Sequence, residues 1–156
     1  MTARREITLK WTERRLVSEW LEEIKPTQAN AGLYAIYGPH RLYGKDVLLY
    51  IGETSDFRSR LKKHHASWLH WCDSRDVRIA FAEHSGPDRK DIEELLIAAH
   101  LPACNGSSLN ALMRPDKFKD LHVLNLGYAL DLLPELSGAY WCNADECARH
   151  LCMDNE

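Results

Sequence analysis

The sequence predicts an α+β domain: a small three-stranded antiparallel sheet flanked by helices, with a helix before it and an extension after it. Three observations predict this. Residues 32–37 and 47–52 are β-branched and aromatic-rich runs, and the GPHRLYGKD between them holds two glycines, a proline and an aspartate, so the pair reads as a hairpin. Val77-Arg78-Ile79-Ala80-Phe81 alternates with period two, which adds a third strand with its odd positions toward the core. Apolar residues recur at helical spacing in three further stretches.

The first of these is Leu16, Val17, Trp20, Leu21 and Ile24, with Thr12 placed to cap the start and Pro26 to end the run. Its outer face carries Arg14 and Arg15 against Glu19, Glu22 and Glu23, so it reads as a helix packed on the domain and not as a DNA-binding helix. Arg4 and Arg5 precede it in an exposed tail, where they either touch a phosphate backbone or have no role. In the hairpin, Ile36, Val47, Leu49 and Ile51 are the expected core positions. Glu53-Thr54-Ser55-Asp56 then supplies capping residues for a helix over 56–69 that buries Phe57, Leu61 and Trp68. Ser85-Gly86-Pro87-Asp88 is a turn and cap, followed by a helix to about His100 with Ile92, Leu95, Leu96 and Ala99 inward and Pro102 past its end. Beyond Asn105 the chain turns polar, and Leu121 to Leu124 is a candidate strand that Asn125 and Gly127 would let turn. The organisation is thus a helical extension over 1–30, a core over 31–105 and an acidic extension over 106–156 packed on the same domain.

At 156 residues, 45% hydrophobic and 28% charged, the chain has material for one domain with a true core. No apolar run is long enough to cross a membrane and the N-terminus lacks the apolar centre of a signal peptide, so a cytoplasmic protein with no membrane partner is expected. Five cysteines, at 72, 104, 142, 147 and 152, fit reduced thiols better than a disulfide framework. Cys142, Cys147, His150 and Cys152 are zinc-type ligands, but they share no helical face and have no familiar zinc spacing, so small buried thiols are preferred. The net charge of −3 is awkward for a nucleic-acid enzyme; residues 131–156 alone carry −5, however, which leaves +2 on residues 1–130. Arg58, Arg60, Lys62 and Lys63 cluster there, followed by His64 and His65. A solvated helix face is the plain reading of such a run, and phosphate contact the functional one.

Gly32-Leu33-Tyr34 and Tyr50-Ile51-Gly52, with Arg60 ten residues after Tyr50 and His64 four later, resemble the GIY-YIG nuclease family. So does Glu93 with Ile97, Pro102 and Asn105 at +4, +9 and +12. The resemblance spans residues 31–105. Leu33 stands where the family has isoleucine, and the hairpin is longer than usual, so its loop over 38–46 is either a substrate contact or an elaborated turn. Counting from Glu94 instead would slip every later spacing by one.

The resemblance implies a three-stranded sheet between helices with the active site on one sheet face, and a metal-dependent endonuclease acting on DNA. It implies Tyr34, Tyr50, Arg60, His64, Glu93 and Asn105 as catalytic residues, with Glu93 holding Mg²⁺ or Mn²⁺. Glutamate is a hard oxygen donor of the kind Mg²⁺ takes once or twice before filling its shell with water and phosphate. A phenol of pKa about 10 takes a proton from water only when a metal or a cation lowers that value, a charge Arg60 and a bound cation would supply. His64 orients neighbours, contacts phosphate or moves a proton; Asn105 fixes the active-site loop or the glutamate by hydrogen bonds. Arg58, Lys62 and Lys63 are the expected nucleic-acid contacts, no small-molecule cofactor is expected, and a homodimer is one way to cut both strands. The rival is a non-catalytic nucleic-acid-binding or protein-interaction module on the same scaffold.

Overall fold

The computed structural model describes residues 4–25, 27, 30–40, 42–68, 76–105, 118–129 and 131–139, without the side chains of 64–68. The elements in chain order are β1 (Arg5–Trp11), β2 (Arg15–Leu16), α1 (Val17–Glu23), β3 (Gly32–His40) and β4 (Gly44–Thr54). After these come α2 (Phe57–Trp68), β5 (Arg78–Glu83), α3 (Arg89–His100), β6 (Leu121–Gly127) and β7 (Glu135–Ser137). The expected hairpin, third strand and two later helices therefore form, each within a few residues of its expected bounds.

The expected small three-stranded sheet is overturned. Seven strands make one mixed sheet in the order β4-β3-β5-β1-β6-β7, with β2 also beside β5. Strands β4, β3 and β5 are antiparallel neighbours at one end. The N-terminal segment is the first correction, because what was expected as an exposed tail is strand, and the expected helix forms but is shorter. Ile7, Leu9 and Trp11 alternate with Glu6, Thr8 and Lys10, the pattern of a strand with one face inward. That strand, β1, runs parallel to β6 from Arg5 opposite Leu121 to Trp11 opposite Gly127. Thr12 caps no helix: its N–H donates to Phe81 O (2.9 Å) and its Oγ1 accepts the Phe81 N–H (3.0 Å). The hydroxyl thus stands in for a backbone carbonyl between the β1 and β2 contacts with β5. Helix α1 spans only Val17–Glu23, and Glu19 accepts the Leu16 N–H at its start (2.7 Å). Arg5 is paired with Asp120 (2.8 Å) and Asp91 (3.1 Å), which ties β1 to the start of β6 and to α3.

In the C-terminal extension the candidate strand over 121–124 does form, within β6; the second correction is that it belongs to the one sheet. The described part of the extension supplies β6 and β7 to that sheet, and β6 reaches Gly127, where a positive φ of 78° needs glycine. The buried Trp11 Nε1–H donates to Asn125 Oδ1 (2.9 Å), and Asn125 Nδ2 donates to Leu133 O (2.8 Å), so one amide joins β1, β6 and the turn toward β7.

Both sheet faces are covered. Leu33, Ala35 and Tyr37 of β3 share one core with Leu9, Trp11, Ala80, Ala82, Ile92, Leu95 and Leu96. Tyr34 and Ile36 share the other with Trp20, Phe57, Leu61, Ile79 and Phe81. Helix α3 thus lies on one face and α1 with α2 on the other, and β5 is buried on both sides where only its odd positions were expected inward. Cys104 is a half-buried free thiol. The Trp68 side chain and Cys72, Cys142, Cys147, His150 and Cys152 lie outside the described residues. Among the described residues no helix is long and apolar enough to cross a membrane.

Candidate active site

In the β3–β4 ladder Tyr34 faces Gly52 and Ile36 faces Tyr50, so the two tyrosines are diagonal neighbours on one sheet face. Gly52 is what lets them meet. A Cβ there would collide with the Oη and Cζ of Tyr34 and lie 2.8 Å from its Cε1, so the phenol rests flat across the β4 backbone. Gly32 does the same for its neighbour strand, since a Cβ there would lie 2.8 Å from Phe81 Cζ. The Tyr34 and Tyr50 rings stack with centroids 6.0 Å apart at 24°. Their hydroxyls are hydrogen-bonded to each other.

Helix α2 brings Arg60. Asp56 starts it by accepting Ser59 N–H (3.1 Å) and Ser59 Oγ–H (2.8 Å), and Thr54 Oγ1 accepts the Asp56 N–H (3.0 Å). Phe57 and Leu61 are buried under the tyrosine face, which leaves Arg60 half-buried at its rim.

Helix α3 brings Glu93 from the opposite face, around the free edge of β4. Arg89 and Glu93 are one turn apart and both hold residue 53. Glu93 Oε1 accepts the Glu53 N–H (3.1 Å), while Arg89 Nε pairs with Glu53 Oε2 (3.2 Å) and Arg89 Nη1 donates to Gly86 O (3.1 Å). The helix ends at Leu101 with φ of 47°, a left-handed cap whose N–H donates to Ile97 O (2.8 Å). The chain after buried Pro102 then follows the same edge. Cys104 N–H donates to Leu49 O (2.8 Å), and the buried Asn105 amide takes both backbone groups of Ile51, each at 2.9 Å. Asn105 therefore replaces a strand partner at Ile51, between Tyr50 and Gly52. The site straddles a sheet edge, where the family resemblance implied one sheet face.

The electrostatics bind these groups into one unit. Burial is the largest cause raising Tyr34 well above the ordinary phenol range, Tyr50 and Glu93 add to it, and Arg60 opposes it. Tyr50 is raised by burial and then by Glu93, and lowered by the Tyr34 hydrogen bond and by Arg60. Glu93 is pushed up to about 7, by burial first; the Glu53 N–H and Arg60 favour its charged form, and the Glu53 and Glu94 carboxylates oppose it. Arg60 thus favours the ionised form of all three. The charge of Glu93 reaches both tyrosines, whereas that of Glu94 acts on Glu93.

The other expected site residues fare differently. Arg58 Nη1 donates to the carbonyls of Leu21 (2.8 Å) and Ile24 (2.5 Å), so its guanidinium caps α1. Lys62 and Lys63 are exposed on α2. The His64 backbone lies on α2 one turn past Arg60, and its side chain is outside the described residues. Sequence reasoning missed Glu53 and Arg89. The signals were the i, i+4 spacing of Arg89 and Glu93 and the position of Glu53 directly after Gly52.

Among the described residues no group of three His, Cys, Asp or Glu gathers as a ligand set. The donors present fit a cation held by one carboxylate. Glu93 Oε1 is engaged by Glu53 N–H, which leaves Oε2, and the burial that raises Glu93 makes a neighbouring positive charge favourable. Neither a protein-family model, nor a curated protein, nor a solved structure matches the chain.

Proposed function

We propose that the chain is a metal-dependent endonuclease that hydrolyses phosphodiester bonds in DNA with machinery of the GIY-YIG type. One observation carries the reading: Tyr34, Tyr50, Arg60 and Glu93 come from four different elements and act on one another's charge at one end of β4. Such convergence of raised phenols, a raised carboxyl and a cation is a mark of functional sites.

Each residue then has a role. Arg60 stabilises the negative charge that builds on the phosphate as it is attacked. Glu93 would hold Mg²⁺ or Mn²⁺, which would supply charge stabilisation and acidify water when bound. Tyr50 is the less buried phenol, so Tyr50 Oη orients the attacking water; it would take the proton only with a bound cation adding to Arg60 against the burial and the Glu93 charge that raise it. Tyr34 and Asn105 are positioning residues, acting through Tyr50 and through the β4 edge.

The test is a cleavage panel of supercoiled, linear, branched and single-stranded DNA, and RNA, with Mg²⁺, with Mn²⁺ and with chelator. Metal-dependent cuts in DNA are expected. Binding with no metal-dependent cleavage of any substrate would replace this reading with the non-catalytic module.

A further inference from the structure

The loop between β3 and β4 has no part in the site above, yet it is built with care. Its root is bent by two register shifts, between Ile36 and Tyr37 and between Gly38 and His40. It is also fastened from below: the Arg14 guanidinium lies 3.6 Å over the Tyr37 ring, pairs with Asp46 (2.9 Å) and pairs with Asp131. At the tip, His40 Nδ1 accepts the Leu42 N–H (3.2 Å), and the His40 ring stacks on Tyr43 with centroids 4.7 Å apart at 19°. Gly44 closes the turn with a φ of 110°, and a Cβ there would touch nothing, so it is the conformation that requires glycine. The described residues of the tip thus contact one another, and they hold their apolar groups out: Leu42 is 81% exposed and Tyr43 68%.

We infer that this hairpin tip is a second DNA contact, in which the two-stranded ribbon enters a groove of the duplex and places Leu42 and Tyr43 against bases. A two-stranded β-ribbon fits the major groove of B-form DNA, and apolar side chains there meet thymine methyls and base edges. Charge favours DNA over a protein partner. From His40 to Lys45 the sequence holds Arg41 and Lys45 and no acid, and the acids at its root, Asp46 and Asp131, share Arg14. In a chain of net charge −3, that is a local positive tip. A strand rises about 3.3 Å per residue, so Gly44 lies at most about 20 Å from Tyr50 along β4. That is about six base pairs at roughly 3.4 Å each. The inference rests on the DNA reading of the site.

The experiment measures binding of a short labelled duplex of mixed sequence by the full chain, in chelator, over a range of salt. The double variant Leu42→Ala/Tyr43→Ala and the single variant Lys45→Ala are compared with wild type, beside metal-dependent cleavage at saturating DNA. The double variant is expected to bind at least about tenfold more weakly with the salt slope unchanged, because apolar contacts release no counterions. Lys45→Ala is expected to make the slope shallower by about one, the signature of one lost phosphate contact. Cleavage at saturation is expected to stay within about twofold of wild type. Wild type that cuts DNA while the double variant binds as well as wild type overturns this inference and leaves the site reading intact. Wild type that binds DNA through the tip without cutting it overturns the site reading and leaves this inference intact. Wild type that does not bind DNA overturns both, and loss of self-association in the double variant would then assign the tip to a protein contact.

Discussion

The two ends of the sheet are held together by different means. At the β4 end the free edge is covered by side chains: Asn105 takes both backbone groups of Ile51, and Glu93 takes the N–H of Glu53. Glycines at 32 and 52 let rings lie on the backbone there. At the β6 end the edge is extended by backbone ladders, β1 with β6 and β6 with β7, and Trp11 pairs with Asn125 there, while the buried His122 Nδ1 has no partner among the described residues. The difference teaches how the labour is divided. A ladder stabilises without placing any chemical group, whereas an edge closed by side chains brings carboxylate, amide and phenols together at the cost of burying them. Substitutions at the first end should therefore change activity more than stability, and those at the second the reverse.

The largest expected effect is on the rate at the β4 end. Glu93→Gln keeps the oxygen that accepts the Glu53 N–H and removes the charge; Arg60→Ala removes the cation that favours all three ionised groups. Each should lower single-turnover DNA cleavage at least about a hundredfold, the scale for one preorganised charge-stabilising group, with no melting temperature that accounts for the loss by unfolding. Activity within tenfold of wild type in both would dissolve the contrast between the ends.

Next is a stability effect with a defined pH window. The Glu93 carboxyl is raised in the folded protein from an ordinary 4.5 to about 7, by burial first. The folded state therefore holds its proton where the unfolded state has lost it. The contribution is full below about pH 4.5 and is lost as the pH rises through about 7. It is on the order of 3 kcal/mol at about 1.4 kcal/mol per pH unit. Urea unfolding in chelator should show wild type losing stability over that window relative to Glu93→Gln. Parallel curves for the two proteins would count against a buried Glu93.

A matched pair sharpens the comparison further. Gly52→Ala drives a methyl into Tyr34, and Trp11→Phe leaves the buried Asn125 oxygen without its donor; each should cost about 1–3 kcal/mol. Only Gly52→Ala should slow cleavage per folded molecule, by more than about tenfold, because only it shifts a phenol. Equal activities in the two variants would mean that the Tyr34–Tyr50 stack is scaffold.

The smallest effect is expected one residue away from the largest. Glu94→Gln removes a repulsion on Glu93 and should leave cleavage within about threefold of wild type. A hundredfold loss there, with Glu93→Gln silent, would shift the site by one position on α3.

How far the chain could be read without its structure depends on the range of the interaction. The hairpin, α2, β5 and α3 are written locally, in Gly38, Pro39 and Gly44 at a turn, in Asp56 at a helix start and in period two over 77–81. Tyr34, Tyr50, Arg60 and Glu93 were legible as candidate site residues because their spacing along the chain carries the resemblance. The alternation of Ile7, Leu9 and Trp11 was equally legible, but a strand of seven residues means little without a partner, and the partner, β6, begins at Leu121. No local pattern encodes that pairing, nor the reach of Arg5 to Asp120. The sequence by itself determined which segments are strands and helices over 31–105 and which side chains are the candidates for chemistry. Only the tertiary structure decided that the sheet continues through β1, β6 and β7, that Arg58 caps α1, and that Arg89 and Glu93 clamp Glu53. Those outcomes depend on which backbone groups are left unpaired at an edge and which side chains, distant in the chain, lie close enough to satisfy them.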